Sequence, residues 1–140
     1  MKNLLFLFFL LNTLPAYSQV NFEDYCFSSG GEKPVRFKLR IYDDIHSKWS
    51  GACVKYEKSN KSISLVPEYS QNDELDKNHP FQTTENWLEI SGNKISGEYE
   101  MISQGANVYS MTYTNNSTHK KFYFNFDPHS APSERGECNW

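Results

Sequence analysis

With 140 residues of which 38% are hydrophobic and 16% aromatic, the chain is long enough for one well-buried core and too short for two. Its formal net charge is −3, and no basic cluster appears anywhere in it, which excludes a nucleic-acid binder and a ligand of anionic membrane surfaces. A mildly acidic surface suits a basic protein partner and equally suits plain solubility.

The chain opens with Lys2 followed by the apolar run "LLFLFFLL". A short polar stretch leads to Ala16, Tyr17 and Ser18, which carry small residues at alternate positions as signal peptidase requires. Residues 1–18 are therefore expected to be a cleaved signal peptide and 19–140 a single β domain, exported to a periplasm or secreted. The apolar run falls short of the roughly 18 to 20 residues of a membrane span, and no later segment approaches it. Without Lys2 the basic count falls from 14 to 13 against 17 acidic side chains, a net charge of −4. The Lys and Asn content with little Arg leans towards a bacterial source.

From there period two dominates. A weak strand is expected around "VNFEDY". In "VRFKLRIY", Val35, Phe37, Leu39 and Ile41 share one face, and Arg36, Lys38 and Arg40 the other. "ACVKYEK" puts Ala52, Val54 and Tyr56 together, and "SISLV" does the same for Ile63 and Leu65, with the polar "KSNKS" as the hairpin connection. The segment 67–86, "PEYSQNDELDKNHPFQTTEN", is polar and without period, and is expected to be one long loop, with a helical turn around "SQNDELDK" capped by Ser70. Apolar faces follow at Leu88 and Ile90, then at Ile95, Tyr99 and Met101, then at Tyr109, Met111 and Tyr113, and after the loop "TNNSTHK" at Phe122, Phe124 and Phe126. Short turns between most neighbours make an all-β, antiparallel meander of about eight strands, closed as a small barrel or folded as a sandwich. No segment reads as a long helix, an internal repeat or a low-complexity tract.

Three cysteines allow one bridge. Cys26 and Cys138 bracket the domain, and joining them closes a loop worth on the order of 4 kcal/mol in the chain-entropy model. Cys53 is then the free thiol, or else the true partner of one terminal cysteine. Nothing around it signals a catalytic thiol.

Catalytic and cofactor chemistry finds little support. His46, His79, His119 and His129 fall in expected loops without zinc-site spacing, so no metal and no cofactor is expected. "DDIH" at 43–46 has the composition of a weak metal site and, more simply, of a solvated turn. Glu98 and Glu100 point to one side of a strand as a glycosidase pair could, but share that face with Ser96 and Lys94, the mark of a solvated surface. Three glycosylation sequons, beginning at Asn60, Asn115 and Asn116, lie on expected turns and matter only for a eukaryotic source. The candidate site is "SQGANVY". Its Gly105 suits a tight hairpin, and Ser103, Gln104, Gly105, Asn107 and Tyr109 make a polar and aromatic rim of the kind that binds proteins.

"YC" at 25–26, "EKPVRFKL" at 32–39 and the terminal "GECNW" resemble pieces of the small periplasmic inhibitors of C-type lysozyme. That resemblance implies an eight-stranded antiparallel barrel stapled near both ends, and a protruding loop that blocks an enzyme cleft. "SQGANVY" has Gly105, Ala106 and Tyr109 in the order of the family's inhibitory loop, with different spacing. Export, small size, an acidic surface, missing catalytic groups and long polar loops make the expected function a non-enzymatic exported inhibitor or immunity-type protein, acting on a basic cell-wall hydrolase or toxin. A barrel carrying a small apolar ligand among Tyr99, Met101, Tyr109, Met111 and Phe124 is the alternative, and an enzyme with an unrecognised site the third.

Overall fold

The structure, a computed structural model, describes residues 20–130 and 136–140; the expected signal peptide at 1–18 lies outside them. Eight antiparallel strands close into a barrel in simple sequence order. They are β1 (Asn21–Ser28), β2 (Arg36–Asp44), β3 (Trp49–Tyr56), β4 (Ile63–Asp73), β5 (Gln82–Ser91), β6 (Lys94–Gln104), β7 (Asn107–Asn115) and β8 (Lys121–Phe126), followed by one 3-10 turn, Pro128–Ser130. A meander closed on itself is the economical answer for eight short amphipathic strands, because closure leaves few exposed edges.

The alternation read from the sequence is what fills the interior. Phe27, Phe37, Leu39, Val54, Tyr99 and Met111 are fully buried. Phe37 is their hub, with ring centroids 5.2 Å from Phe27, 4.8 Å from Phe124 and 6.0 Å from Tyr99. Each such ring removed from water is worth about 1.5–3 kcal/mol. The Tyr56 and Tyr99 hydroxyls meet at 2.9 Å, so the two phenols buried at this level satisfy each other.

Four expectations need correction. The segment 67–86 is not one long loop. Most of it is the outer half of β4 and the start of β5, paired from Tyr69 with Asn86 to Asp73 with Gln82, and only 74–81 connects them. Nearly all of this part of β4 is exposed, so a ribbon standing in water has no apolar face to announce it. For the same reason Ser70 lies within a strand and caps no helix. In β5 the inward residue is Trp87, opposite Tyr99, while Leu88 sits opposite Glu98 on the outer side and Ile90 lies past a bulge, facing an exposed Ile95. Burying the larger indole decides that register. Finally, Tyr109 falls at the bulge between Ile102 and Ser103, which turns Val108 towards the core and leaves Tyr109 half in water.

A disulfide joins Cys26 to Cys138, with Cα atoms 6.0 Å apart, and Cys53 is the free thiol. The bridge straps the C-terminus across the outside of β1 and β2. There the buried Lys38 donates to the Gly136 carbonyl and pairs with Glu137 at 3.2 Å. Arg40 grips Asp24 through two 2.7 Å bonds, with its guanidinium 4.5 Å over the Phe22 ring.

Candidate functional site

At the end of the barrel formed by the β2–β3, β4–β5 and β6–β7 connections, the inward positions change character. Counting back from Phe27 by twos gives Tyr25 and then Glu23; counting on from Ile41 gives Asp43; counting back from Trp87 gives Glu85. On three strands, then, the same alternation that buries apolar rings brings a carboxylate to the mouth. Glu68, at the β4 bulge, adds a fourth. These acids border a cavity of about 690 Å³ with an apolar wall that includes Ile41, Met101 and Val108.

Each of the four carboxylates meets one neutral group. Tyr25 donates to Glu23, Ser50 Oγ to Asp43 at 2.5 Å, and Asn86 Nδ2 to Glu68. The indole N–H of Trp87, which is 4% exposed, is buried with no acceptor at bonding distance, yet lies close enough to Glu85 to favour its ionised form. None of the described residues bordering the cavity is basic, and none of the four acids takes part in an ion pair among the described residues.

The field this creates is visible in the protonation balances. Burial, with the charges of Asp43 and Glu23, raises the Glu85 pKa against the opposing pull of Trp87. Burial, the bond to Glu23 and the surrounding carboxylates push the Tyr25 phenol well above its ordinary range. Such a mouth attracts a cation, and a cation held there would offset the repulsion from Asp43 and Glu23 that raises the Glu85 pKa.

No protein-family model matches the chain, and comparison with curated proteins and with solved structures finds no match either. The likeness to lysozyme inhibitors therefore rests on the sequence pieces that suggested it.

The hairpin tip "SQGAN" is part of the lip. Ser103, Gly105 and Ala106 border the cavity. Gly105 takes φ +58°, and a Cβ there would come within 3.3 Å of Pro80, so the tip needs glycine both for its turn and for its neighbour. Gln104 points sideways and donates from Nε2 to the Pro80 carbonyl at 3.0 Å, tying the 74–81 connection to the lip. Asn107 is exposed at the start of β7, and Tyr109 lies on the outer wall, 50% exposed. The five rim residues thus separate: two border the mouth, one braces it, two face outward.

Sequence reasoning missed the four carboxylates. The readable signal was an acid on the inward parity of three strands, at Glu23, Asp43 and Glu85. "DDIH" resolves into two jobs, because Asp43 enters the mouth while Asp44 accepts from the His46 amide and Ser47 Oγ and caps the turn. Glu98 and Glu100 face outward opposite Thr114 and Thr112. No group of three metal-ligating side chains occurs among the described residues. At the opposite end of the barrel, Val35, Tyr56, Tyr113, Phe122 and Tyr123 border an apolar groove of about 500 Å³.

Proposed function

We propose that this is a non-enzymatic binding protein of the inhibitor or immunity kind, exported to a periplasm or secreted, which blocks an envelope-attacking enzyme by offering its acidic mouth and lip to basic side chains. The observation that carries this reading is the set of four carboxylates around one cavity without a cationic partner. Net negative potential focused in a concave, low-dielectric site accelerates encounter with a basic protein and fixes its orientation. The braced lip of Ser103, Gln104 and Gly105 supplies a rigid edge, so little ordering entropy is lost on docking. The disulfide is compatible with an oxidising compartment, and among the described residues no helix is long and apolar enough to cross a membrane.

The test is a cell-wall lysis assay with a C-type lysozyme and a panel of other basic muramidases. The domain from Gln19 onward should slow lysis by at least one of them, and the effect should weaken as salt is raised from about 0.05 to 0.3 M. The paired substitutions Glu23→Gln and Glu85→Gln should relieve the inhibition. Lysis unchanged across the whole panel at excess protein would reject the reading.

A second reading, a carrier of a small apolar molecule, is favoured by the apolar groove at the far end. The interior positions first considered for it do not help: Tyr99, Met111 and Phe124 pack into the core, and Tyr109 lies outside. A panel of fatty acids and sterols that shifts the melting temperature would favour it.

A further inference from the structure

We propose that the acidic mouth is a receptor pocket for one aliphatic cation, an ammonium or guanidinium on a methylene stem, seated between Glu23, Asp43 and Glu85 with its stem along Ile41, Met101 and Val108. This rests on the inhibitor reading and names the chemistry by which that site would recognise its partner.

Three observations carry it. Asp43 and Glu85 are half-buried and Glu23 is exposed at the rim, and all three stand at inward positions of their strands around a cavity that an alkyl chain fits, with an apolar wall behind them. A cavity of about 690 Å³ is far larger than the roughly 30 Å³ share of one water, and no trio of ligating groups closes on a point, so a bare metal ion is poorly suited and an organic cation well suited. Independently, the Trp87 indole N–H is buried beside Glu85 with no acceptor at full bonding distance. A buried donor without an acceptor is a cost that a native structure keeps for a reason. Here the reason is the ionised form of Glu85. When a cation enters, it offsets the repulsion from Asp43 and Glu23, favours the ionised form of Glu85, and lets that carboxylate take the Trp87 bond. Tyr25 and Tyr69 also line the cavity, where a ring face turned towards the cation would add cation–π attraction.

The cation can come from a lysine or arginine of a protein or from a free polyamine, and the test separates the two. The domain from Gln19 onward is titrated calorimetrically at low salt with spermidine, with an acetylated and amidated Gly-Lys-Gly peptide, and with the same peptide carrying norleucine for lysine. One-to-one saturable binding is expected for at least one cationic probe and none for the norleucine peptide. The tighter of the two cations identifies the source. Because a bound cation lowers the Glu85 pKa, repeating the titration at a series of pH values below neutral, in buffers of different ionisation enthalpy, should show proton release that disappears in Glu85→Gln. Glu85→Gln and Asp43→Asn should each weaken binding by about tenfold or more, while Glu100→Gln on the outer wall changes it less than about twofold.

Absence of saturable binding by both cations, or equal weakening by Glu100→Gln, overturns the proposal. Circular dichroism confirms that each variant is folded, and Asp43→Asn decides the matter alone if Glu85→Gln does not fold. A mouth that binds neither probe in a protein that still stops cell-wall lysis refutes this inference and leaves the inhibitor reading. Cation binding without inhibition does the reverse.

Discussion

Glu85 sits where burial and two neighbouring negative charges oppose its ionisation, and only the Trp87 N–H favours it. A carboxyl whose folded pKa is raised adds stability that is fully present below its unfolded value, near 4.5, and is lost as pH rises through the folded value. The folded protein is therefore less stable at neutral pH than it would be without this carboxyl. Replacing Glu85 with Gln removes that burden while keeping the shape, so the variant should melt at a higher temperature than the parent at about pH 7.5. The difference should shrink to nothing as pH falls to about 4. Thermal unfolding followed by circular dichroism across that range checks it, and a variant that melts lower at pH 7.5 would show that the carboxylate is held by contacts other than those described. A residue that weakens the fold at the mouth of a cavity is the trade expected of a binding site. It was also the hardest kind of residue to read in the sequence. In "NFEDYCF" and "TTENW" the alternation that marks Phe27 and Trp87 as interior also marks Glu23 and Glu85, but an acid at a period-two position is ordinarily taken as the polar face. Parity was legible; that it ended at an open cavity depended on where eight strands stop.

Single strands explain which parts of the fold could be read in advance. β2 was legible from Phe37 to Ile41, because that face is buried while Arg36, Lys38 and Arg40 point to the outer side; Val35, expected on the same inner face, precedes the strand and is half exposed. The outer half of β4 was not, since a ribbon with water on both faces pairs through its backbone and asks nothing of its side chains. β6 shows a subtler constraint at Gly97, which faces inward opposite Glu89 on one side and Asn115 on the other. The Tyr113 ring lies across it: a Cβ there would overlap the ring carbon Cε2 and stand 2.7 Å from the hydroxyl oxygen. Tyr113 in turn packs on Tyr99 with centroids 4.7 Å apart, so it cannot move aside without disturbing the core. Gly97→Ala should therefore destabilise by about 1–3 kcal/mol despite alanine's better strand propensity, read as a lowered urea midpoint at unchanged slope. An unchanged or raised midpoint would mean that Tyr113 has an alternative rotamer available at little cost. Nothing in "ISGEYEM" itself marks this glycine, because the aromatic that covers it lies sixteen positions along the chain.

Closure of the barrel is uneven around its circumference. β1 and β2 pair along their whole length, as do β5 and β6, but β1 meets β8 at only two register positions, Phe27 with Phe126 and Ser28 with Asn125. The ladder continues just one step further, where the Asp127 amide donates to the Cys26 carbonyl. A seam this short cannot by itself hold the first and last strands together against the entropy of freeing them. The Cys26–Cys138 bridge starts from the seam strand β1, and its strap adds Lys38 to Gly136 and Glu137 on the neighbouring β2. With the linked residues 112 apart in sequence, the chain-entropy model assigns the bridge roughly 4 to 5 kcal/mol, a large share of the stability of a domain this size. The double variant Cys26→Ser, Cys138→Ser should lose about that much by chemical denaturation. Hydrogen exchange should become fast first in β1 and β8, with β5 and β6 protected until global unfolding. Because the mouth draws Glu23 and Tyr25 from β1 and Asp43 from β2, the same variant should lose its affinity for cations before it loses its fold. If β5 and β6 opened together with the seam, or if the double variant melted with the parent, closure would have to be credited to the interior rings around Phe37 rather than to the strap.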